Sequence, residues 1–296
     1  MHPDEVDVDA DLVARLLAGQ HPEWAGLGLC PVESAGTDHA LYRLGADMVV
    51  RLPRIPSAVV KVAKEGQWLP RLAPALPLPV PQPVAAGEPG AGFPWPWSVY
   101  RWLEGETAWS SPPDDAEDAG DRLGRFVAAL QGIDPAGGPP PGDHNSFRGE
   151  PLAGRDGEVR EAVAALAGEI DAGSVTAVWE AALEAAAWPG PPRWLHGDLL
   201  PSNLLVRDGR LSAVIDFGCL GVGDPACDLM AAWTVLTARG RPRFRELVGA
   251  DDDAWARGRG WAVSQALIAV PYYRDTNPVL AGIGRRTIAE IVADVS

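Results

Sequence analysis

Cysteine is scarce in this chain of 296 residues, which has only Cys30, Cys219 and Cys227. An odd number without a C-x-x-C pair supports neither a disulfide framework nor a zinc site, so reduced thiols are expected. No window approaches the roughly 18 uninterrupted apolar residues that a membrane span needs. The opening segment MHPDEVDVDADLVARLL is acidic where a secretory signal is basic and then apolar. A soluble, cytoplasmic protein with no membrane partner is expected. Positive charge is also in deficit, since 25 Lys and Arg against 40 Asp and Glu leave a formal charge of −15. That argues against nucleic acid, whose phosphates are bound by clustered cations that release counterions. An acidic surface could instead gather a cationic small molecule by focusing its field in a cleft. The nucleophile motif G-x-S-x-G is missing too, which removes the obvious hydrolase reading.

What is present is enough apolar residue, 47% of the chain, to bury either one large core or two lobes sharing a cleft, and the pattern favours two lobes. Residues 40 to 52, ALYRLGADMVVRL, read as a hairpin turning at Gly45-Ala46-Asp47. Alternation puts Met48, Val50 and Leu52 on one face of its second strand and Val49 with Arg51 on the other. In SAVVKVAKEGQWLPRL, Ala58, Val62, Glu65, Leu69 and Leu72 form one face of a helix, which Pro70 should kink or end. Glu65 on that apolar stripe needs a cation, and Arg51 is the candidate, unless Glu65 lies at the stripe's edge and reaches water. The proline-dense segment from 70 to 96 alternates with apolar residues, which predicts an ordered extended chain. The strand WSVYRWLEGE, ending at Glu104-Gly105, could cross between lobes, and residues 115 to about 188 read as mostly helical. Trp95, Trp97, Trp102, Trp179 and Trp233 lie in apolar contexts and read as core or lobe-interface residues.

The stretch WLHGDLLPSNLLV, residues 194 to 206, sets Asp198 and Asn203 five positions apart. It continues as LLVRDGRLSAVIDFG, two apolar runs joined by Asp208-Gly209, a strong signal for a type I′ hairpin. The hairpin carries the chain away and back, so that Asp216 can return beside Asp198 and Asn203. Two carboxylates and an amide oxygen then converge, hard donors suited to Mg²⁺ and to metal-assisted phosphoryl transfer.

With HGDLLPSN, VIDFG and GVGDPACDLMAAW in this order and at compatible distances, the sequence resembles the aminoglycoside phosphotransferase family. The resemblance is tight over residues 194 to 233 and loose over 34 to 110. It implies an α+β, protein-kinase-like two-lobe fold, with a small antiparallel-sheet lobe over 1–104 that binds nucleotide and a larger, mainly helical lobe over 105–296 that holds the acceptor. It implies that Asp198 orients the acceptor hydroxyl and takes its proton, and that Asn203 and Asp216 hold Mg²⁺ on the phosphates of ATP or GTP, the division of labour that phosphoryl transfer needs. His196 would support the loop. Asp224, followed by Pro225, reads as a helix N-cap. Asp228 either braces the backbone of the Asp198 loop or sits as a favourable charge near a helix N-terminus.

In the small lobe the resemblance puts Arg51 where kinases carry a phosphate-binding lysine, Glu65 as its anchor and Val49 against the adenine. Arginine there departs from the family, being wider, forked and always charged, and Lys61 and Lys64 are rivals less favoured by helical facing. The phosphate-covering loop would be residues 33 to 42, with backbone N–H groups near Ser34 to His39 as contacts, although it lacks G-x-G-x-x-G. Backbone groups of Arg101 and Leu103 would face the purine. For the acceptor, Glu158 and Glu161, with Tyr272, Tyr273 and Asp275 in VPYYRDTNP, could meet a polyhydroxylated amine, or could be a solvated helix face and a packed aromatic loop. The expected activity is Mg²⁺-dependent transfer of a nucleotide γ-phosphate to a hydroxyl of a small molecule, an aminoglycoside first, by a monomer or homodimer. A metabolic small-molecule kinase for choline, homoserine or a sugar, a macrolide phosphotransferase and a non-catalytic nucleotide binder are the alternatives.

Overall fold

The computed structural model describes residues 5–295. The chain opens with helix α1 (Ala10–Gln20), which the reading of that segment's charge did not anticipate. Asp9 caps it, accepting from the Leu12 N–H at 2.7 Å. Its Leu12, Val13, Leu16 and Leu17, at helical spacing, are buried. They pack on a five-stranded antiparallel sheet of β1 (Leu29–Pro31), β2 (His39–Leu44), β3 (Met48–Pro53), β4 (Pro83–Gly87) and β5 (Trp97–Arg101), ordered β1-β2-β3-β5-β4. Each such side chain removed from water contributes roughly 1.5–3 kcal/mol, which is what holds the helix to the sheet.

Leu44 opposes Met48 across the hairpin, with Gly45 at φ 59° in the turn. Met48, Val50 and Leu52 bury into the α1 side, whereas Val49 packs against the other core. Helix α2 (Pro56–Leu72), with Pro56 in its first turn, buries Ala58, Val62, Glu65, Leu69 and Leu72. Pro70 lies in the last turn, and the helix gives way to a 3₁₀ turn at Ala73–Ala75.

The larger core begins at β6 (Glu106–Thr107), which joins β8 (Leu204–Arg207) and β9 (Arg210–Val214) in a small sheet. Between these strands come α3 (Ala116–Gly132), α4 (Asp156–Ala165), α5 (Ala172–Glu184) and β7 (Arg193–Leu195). Asp208 and Gly209, at φ 52° and 73°, make the β8–β9 turn. Then follow β10 (Gly221–Gly223), paired antiparallel to β7, and helices α6 (Ala231–Thr234), α7 (Arg241–Val248), α8 (Asp252–Tyr273) and α9 (Pro278–Val295). Trp97 is fully buried under the first sheet, and Trp179 and Trp233 in the larger core. Among the described residues no helix is long and apolar enough to cross a membrane.

Candidate active site

Strand β7 delivers the chain to His196-Gly197-Asp198, and β10 runs back beside it with Gly221 opposite Leu195. The intervening turn is tight: Gly197 has φ +80°, and a Cβ there would lie 2.7 Å from the Cys219 carbonyl oxygen, so only glycine fits. Asp228, wholly buried, braces this turn by accepting from the His196 N–H at 2.7 Å and the Gly197 N–H at 2.8 Å. Burial pushes its carboxyl up, while His196 and the two N–H groups oppose that push. The bracing alternative is therefore the one the geometry adopts. His196 accepts at Nδ1 from the Asp198 N–H (3.2 Å) and donates from Nε2 to the Ile215 carbonyl (3.1 Å). Burial lowers its pKa, so it is a neutral strut between two loops. Asp224 caps the 3₁₀ turn Pro225–Met230, accepting from the Ala226 N–H, and pairs with Arg257 at 2.7 Å.

Asp198 accepts at Oδ2 from Asn203 Nδ2 (2.9 Å), which also donates to the Asp198 carbonyl. Burial raises the Asp198 carboxyl to about 6 against the pull of Arg148, with Asp216 adding to the rise. The Ile215 N–H donates to the Asn203 carbonyl at 2.9 Å, which sets Asp216 beside the loop. Asp216 has φ 60° and ψ 73°, a left-handed conformation uncommon for aspartate and often stored at functional sites. It accepts from the Gly218 N–H and, at 3.0 Å, from Arg51 Nη2. Against the upward push of burial, Arg51, His39 and Lys61 hold its carboxyl well below the usual carboxylate range.

Arg51 is the hub of the upper half. Its Nη1 donates to Glu65 Oε2 at 2.5 Å, and its Nη2 lies 3.3 Å from His39 Nδ1. Glu65 is 1% exposed and also accepts from the Tyr100 hydroxyl at 2.9 Å. Burial and Arg51 lower the pKa of His39, whose Nε2 is buried without a partner among the described residues. Lys61 pairs with Asp38 at the cleft wall. Lys64 instead donates to the Gly218 and His144 carbonyls (2.8 and 3.1 Å), tying α2 to the backbone after Asp216.

Of these groups Asp38, His39, Arg51, Lys61, Asp198, Asn203 and Asp216 line one cleft of about 1290 Å³, above the range of about 300–1,000 Å³ usual for a single small ligand. Its roof includes Ser34, whose Oγ accepts from the Gly36 N–H at 3.0 Å, and Val49. Arg101 and Leu103 line it as well, with one correction to the expected purine contacts. The Arg101 N–H is already donated to the Gln82 carbonyl (2.9 Å) and its guanidinium pairs with Asp47, because β5 is still in the sheet there. Of the residues expected to meet an acceptor, Tyr272 and Tyr273 line the cleft. Glu158, Glu161 and Asp275 do not: all three are exposed outside its lining, Glu158 near enough to act on the charge of Arg155. Helix α4 turns Val159 and Ala162 inward, so Glu158 and Glu161 point out. In the α8–α9 turn the inward residue is Asn277, which donates to the Ala35 carbonyl (2.8 Å) and accepts from the Leu280 N–H. Sequence reasoning missed Asn277, Tyr100, Arg148 and Arg155 in this cleft. It also gave His39 no side-chain role, although strand alternation puts it on the face of Leu41 and Arg51.

Asn203 and Asp216 offer one amide oxygen and one carboxylate. With Asn203 Nδ2 turned onto Asp198, its Oδ1 is the acceptor left for a cation. That donor set fits Mg²⁺, which is usually completed by water and substrate phosphates. Among the described residues no group of three His, Cys, Asp or Glu side chains is arranged for a metal, so an ion here would depend on the nucleotide for its remaining ligands.

Residues 31–261 match the model of the phosphotransferase enzyme family. The chain belongs to that family. It is a phosphotransferase with an alcohol group as acceptor, on a protein-kinase-like fold. Its fold is similar to that of the GDP complex of wild-type aminoglycoside 2'-phosphotransferase-IIIa, at TM-score 0.72 and 19% identity over 98% of this chain and 100% of that one. Macrolide 2'-phosphotransferase MphH from Brachybacterium faecium superposes at TM-score 0.62 with 26% identity, covering 96% of this phosphotransferase and 98% of its own chain. Uncharacterized protein YcbJ of Bacillus subtilis (strain 168) is 27% identical over 241 residues, 76% of this chain and 73% of its own length.

Proposed function

We propose that this phosphotransferase moves the γ-phosphoryl group of ATP or GTP, in the presence of Mg²⁺, to a hydroxyl of a small organic molecule, with Asp198 as the base. The observation that carries the reading is the junction at Arg51, which joins Glu65 to Asp216 while Asp198 and Asn203 meet just below. Mg²⁺ bound through Asn203 and Asp216 would neutralise charge on the nucleotide phosphates. Arg51, held by Glu65, binds the phosphates from above. Its fork can take two oxygens at once, which a lysine cannot. Asp198, held by Asn203, orients the acceptor hydroxyl and accepts its proton, and its elevated pKa makes it a stronger base than an exposed aspartate while leaving it ionised at neutral pH.

For the acceptor, structural neighbours complexed with kanamycin and gentamicin support a hydroxylated molecule. The aminoglycoside reading drew its cation-binding carboxylates from Glu158, Glu161 and Asp275, which lie outside the cleft. The wall made by α8 and α9 instead joins the apolar Ile268, Ala269, Val279, Leu280 and Ile283 to the polar Tyr272, Tyr273 and Asn277, which supports an alcohol with one apolar face. The test is Mg²⁺-dependent release of ADP or GDP, with mass analysis of the acceptor, across aminoglycosides, macrolides and small metabolic alcohols, comparing wild type with Asp198→Asn. Transfer of one phosphate, lost in the variant, is expected. Transfer that survives the substitution would remove Asp198 from its role.

A further inference from the structure

Five Lys and Arg side chains line the cleft, and three of them are paired: Arg51 with Glu65 and Asp216, Lys61 with Asp38, Arg101 with Asp47. Arg148 and Arg155 are the other two, and neither makes an ion pair with a carboxylate among the described residues. Both guanidinium groups lie over one indole, their central carbons 5.7 and 5.2 Å from the centre of the Trp261 ring. Their inner nitrogens are engaged: Arg148 Nε donates to the Gly197 carbonyl (2.9 Å), next to Asp198, and Arg155 Nε to Ser264 Oγ on α8 (3.2 Å). Neither Nη of Arg155 has a hydrogen-bond partner among the described residues. Burial, and then the neighbouring Arg148, bring Arg155 down to about 10 against the opposing pull of Glu158. Two adjacent cations, partly withdrawn from water beside an apolar wall, are costly unless an anion meets them. The nearest carboxylates, Asp198 toward Arg148 and Glu158 toward Arg155, act on them only at a distance, and neither closes an ion pair.

We propose that Arg148 and Arg155 form an oxyanion subsite on the acceptor side of the cleft, so that the alcohol phosphorylated here also carries a carboxylate or a phosphate. The guanidinium fork suits either group bidentately. The location separates this subsite from nucleotide binding: Arg155 comes from the turn before α4 and packs on α8, whereas Arg51 and Lys61 approach from the sheet and α2. In the reaction, the hydroxyl oxygen of the anionic acceptor bonds to the γ-phosphorus and the bond from that phosphorus to the bridging oxygen breaks. The nucleoside diphosphate leaves, and the hydroxyl proton passes to Asp198. The group-transfer step rests on the function proposed above, but anion binding does not.

The test measures binding without turnover, by calorimetry with Mg²⁺ and a non-hydrolysable ATP analogue present. The probes are glycerate, mandelate and glycerol 3-phosphate against the neutral alcohols glycerol and 1-phenylethane-1,2-diol. Anionic probes should bind more tightly than their neutral counterparts, and the stronger of the carboxylate and phosphate arms names the headgroup. Arg155→Gln should weaken the anions by roughly tenfold or more, the loss of a charge-assisted contact, with nucleotide affinity unchanged and Arg155→Lys intermediate. The same Gln variant should leave the thermal midpoint of the ligand-free protein unchanged or raise it, because it removes a half-buried charge that makes no ion pair among the described residues. No preference for any anion over its neutral counterpart would overturn the proposal. So would an anion preference that survives Arg155→Gln in a variant that is also destabilised, which would make the arginine a packing residue. Anion binding that persists while no acceptor stimulates nucleotide turnover would support the subsite and fault the phosphotransfer reading alone.

Discussion

Replacing Asp198 by Asn should abolish transfer and stabilise the protein. Asp198 is a carboxyl that burial raises from 3.8 to about 6. Ionising it in the folded state therefore costs up to about 3 kcal/mol more than in the unfolded chain. The side chain is only partly buried at the cleft floor, and solvent screening reduces this to about 1–2 kcal/mol. The sign follows from linkage. Between about pH 4 and 6 the folded protein holds more protons than the unfolded one, so this group's contribution to stability falls as pH rises through that window and is flat above it. Asparagine keeps an oxygen for Asn203 Nδ2 and has no charge to desolvate. Urea unfolding of both proteins at pH 4 and pH 7.5 should show Asp198→Asn more stable by about 1–2 kcal/mol at the higher pH and little different at the lower. A variant less stable at pH 7.5, or an offset equal at both pH values, would refute the account of the carboxyl as a strained base.

Arg51→Met should cost about 3–5 kcal/mol by leaving Glu65 buried and unpaired, read in urea midpoint. Adding Glu65→Leu should recover most of that stability but none of the lost nucleotide affinity. Asp228→Ala orphans two buried N–H groups at about 1–3 kcal/mol each, and its thermal midpoint and turnover should fall together. Gly197→Ala meets the Cys219 carbonyl and a positive φ. Strain of about 1–3 kcal/mol is expected, with kcat reduced and nucleotide Kd unchanged by calorimetry. The pH profile of kcat/KM for the free enzyme should rise through about pH 6 as Asp198 ionises, and Arg148→Gln should move that inflection upward by removing a cation that favours the ionised form.

Much of the placement of Arg51, Glu65 and Asp216 was legible because its signals are local. Alternation in MVVRL put Arg51 and Val49 on one face, helical spacing put Glu65 on the α2 stripe, and the Asp208-Gly209 turn announced the hairpin that returns Asp216 to Asn203. The wall of the cleft opposite them was not legible by the same means. A carboxylate pair at helical spacing, Glu158 and Glu161, carries no sign of which way α4 faces until Val159 and Ala162 are seen to turn inward. Arg148 and Arg155 belong to a loop without periodicity, and nothing in their neighbours marks them as cleft residues.

The sequence by itself determined the loop that carries Asp198 and Asn203, the strand and helix that carry Arg51 and Glu65, and the family, since each depends on spacing within one continuous stretch of about 40 residues or fewer. Only the tertiary structure decided that Asp228 reaches back 31 and 32 residues to two loop amides, that Asn277 ties the α8–α9 turn to Ala35, and that two arginines stand unpaired over Trp261. The reason is physical. Local backbone geometry repeats with fixed periods, whereas the pairing of charges across a cleft depends on how whole elements pack, and that is set by the cores beneath them.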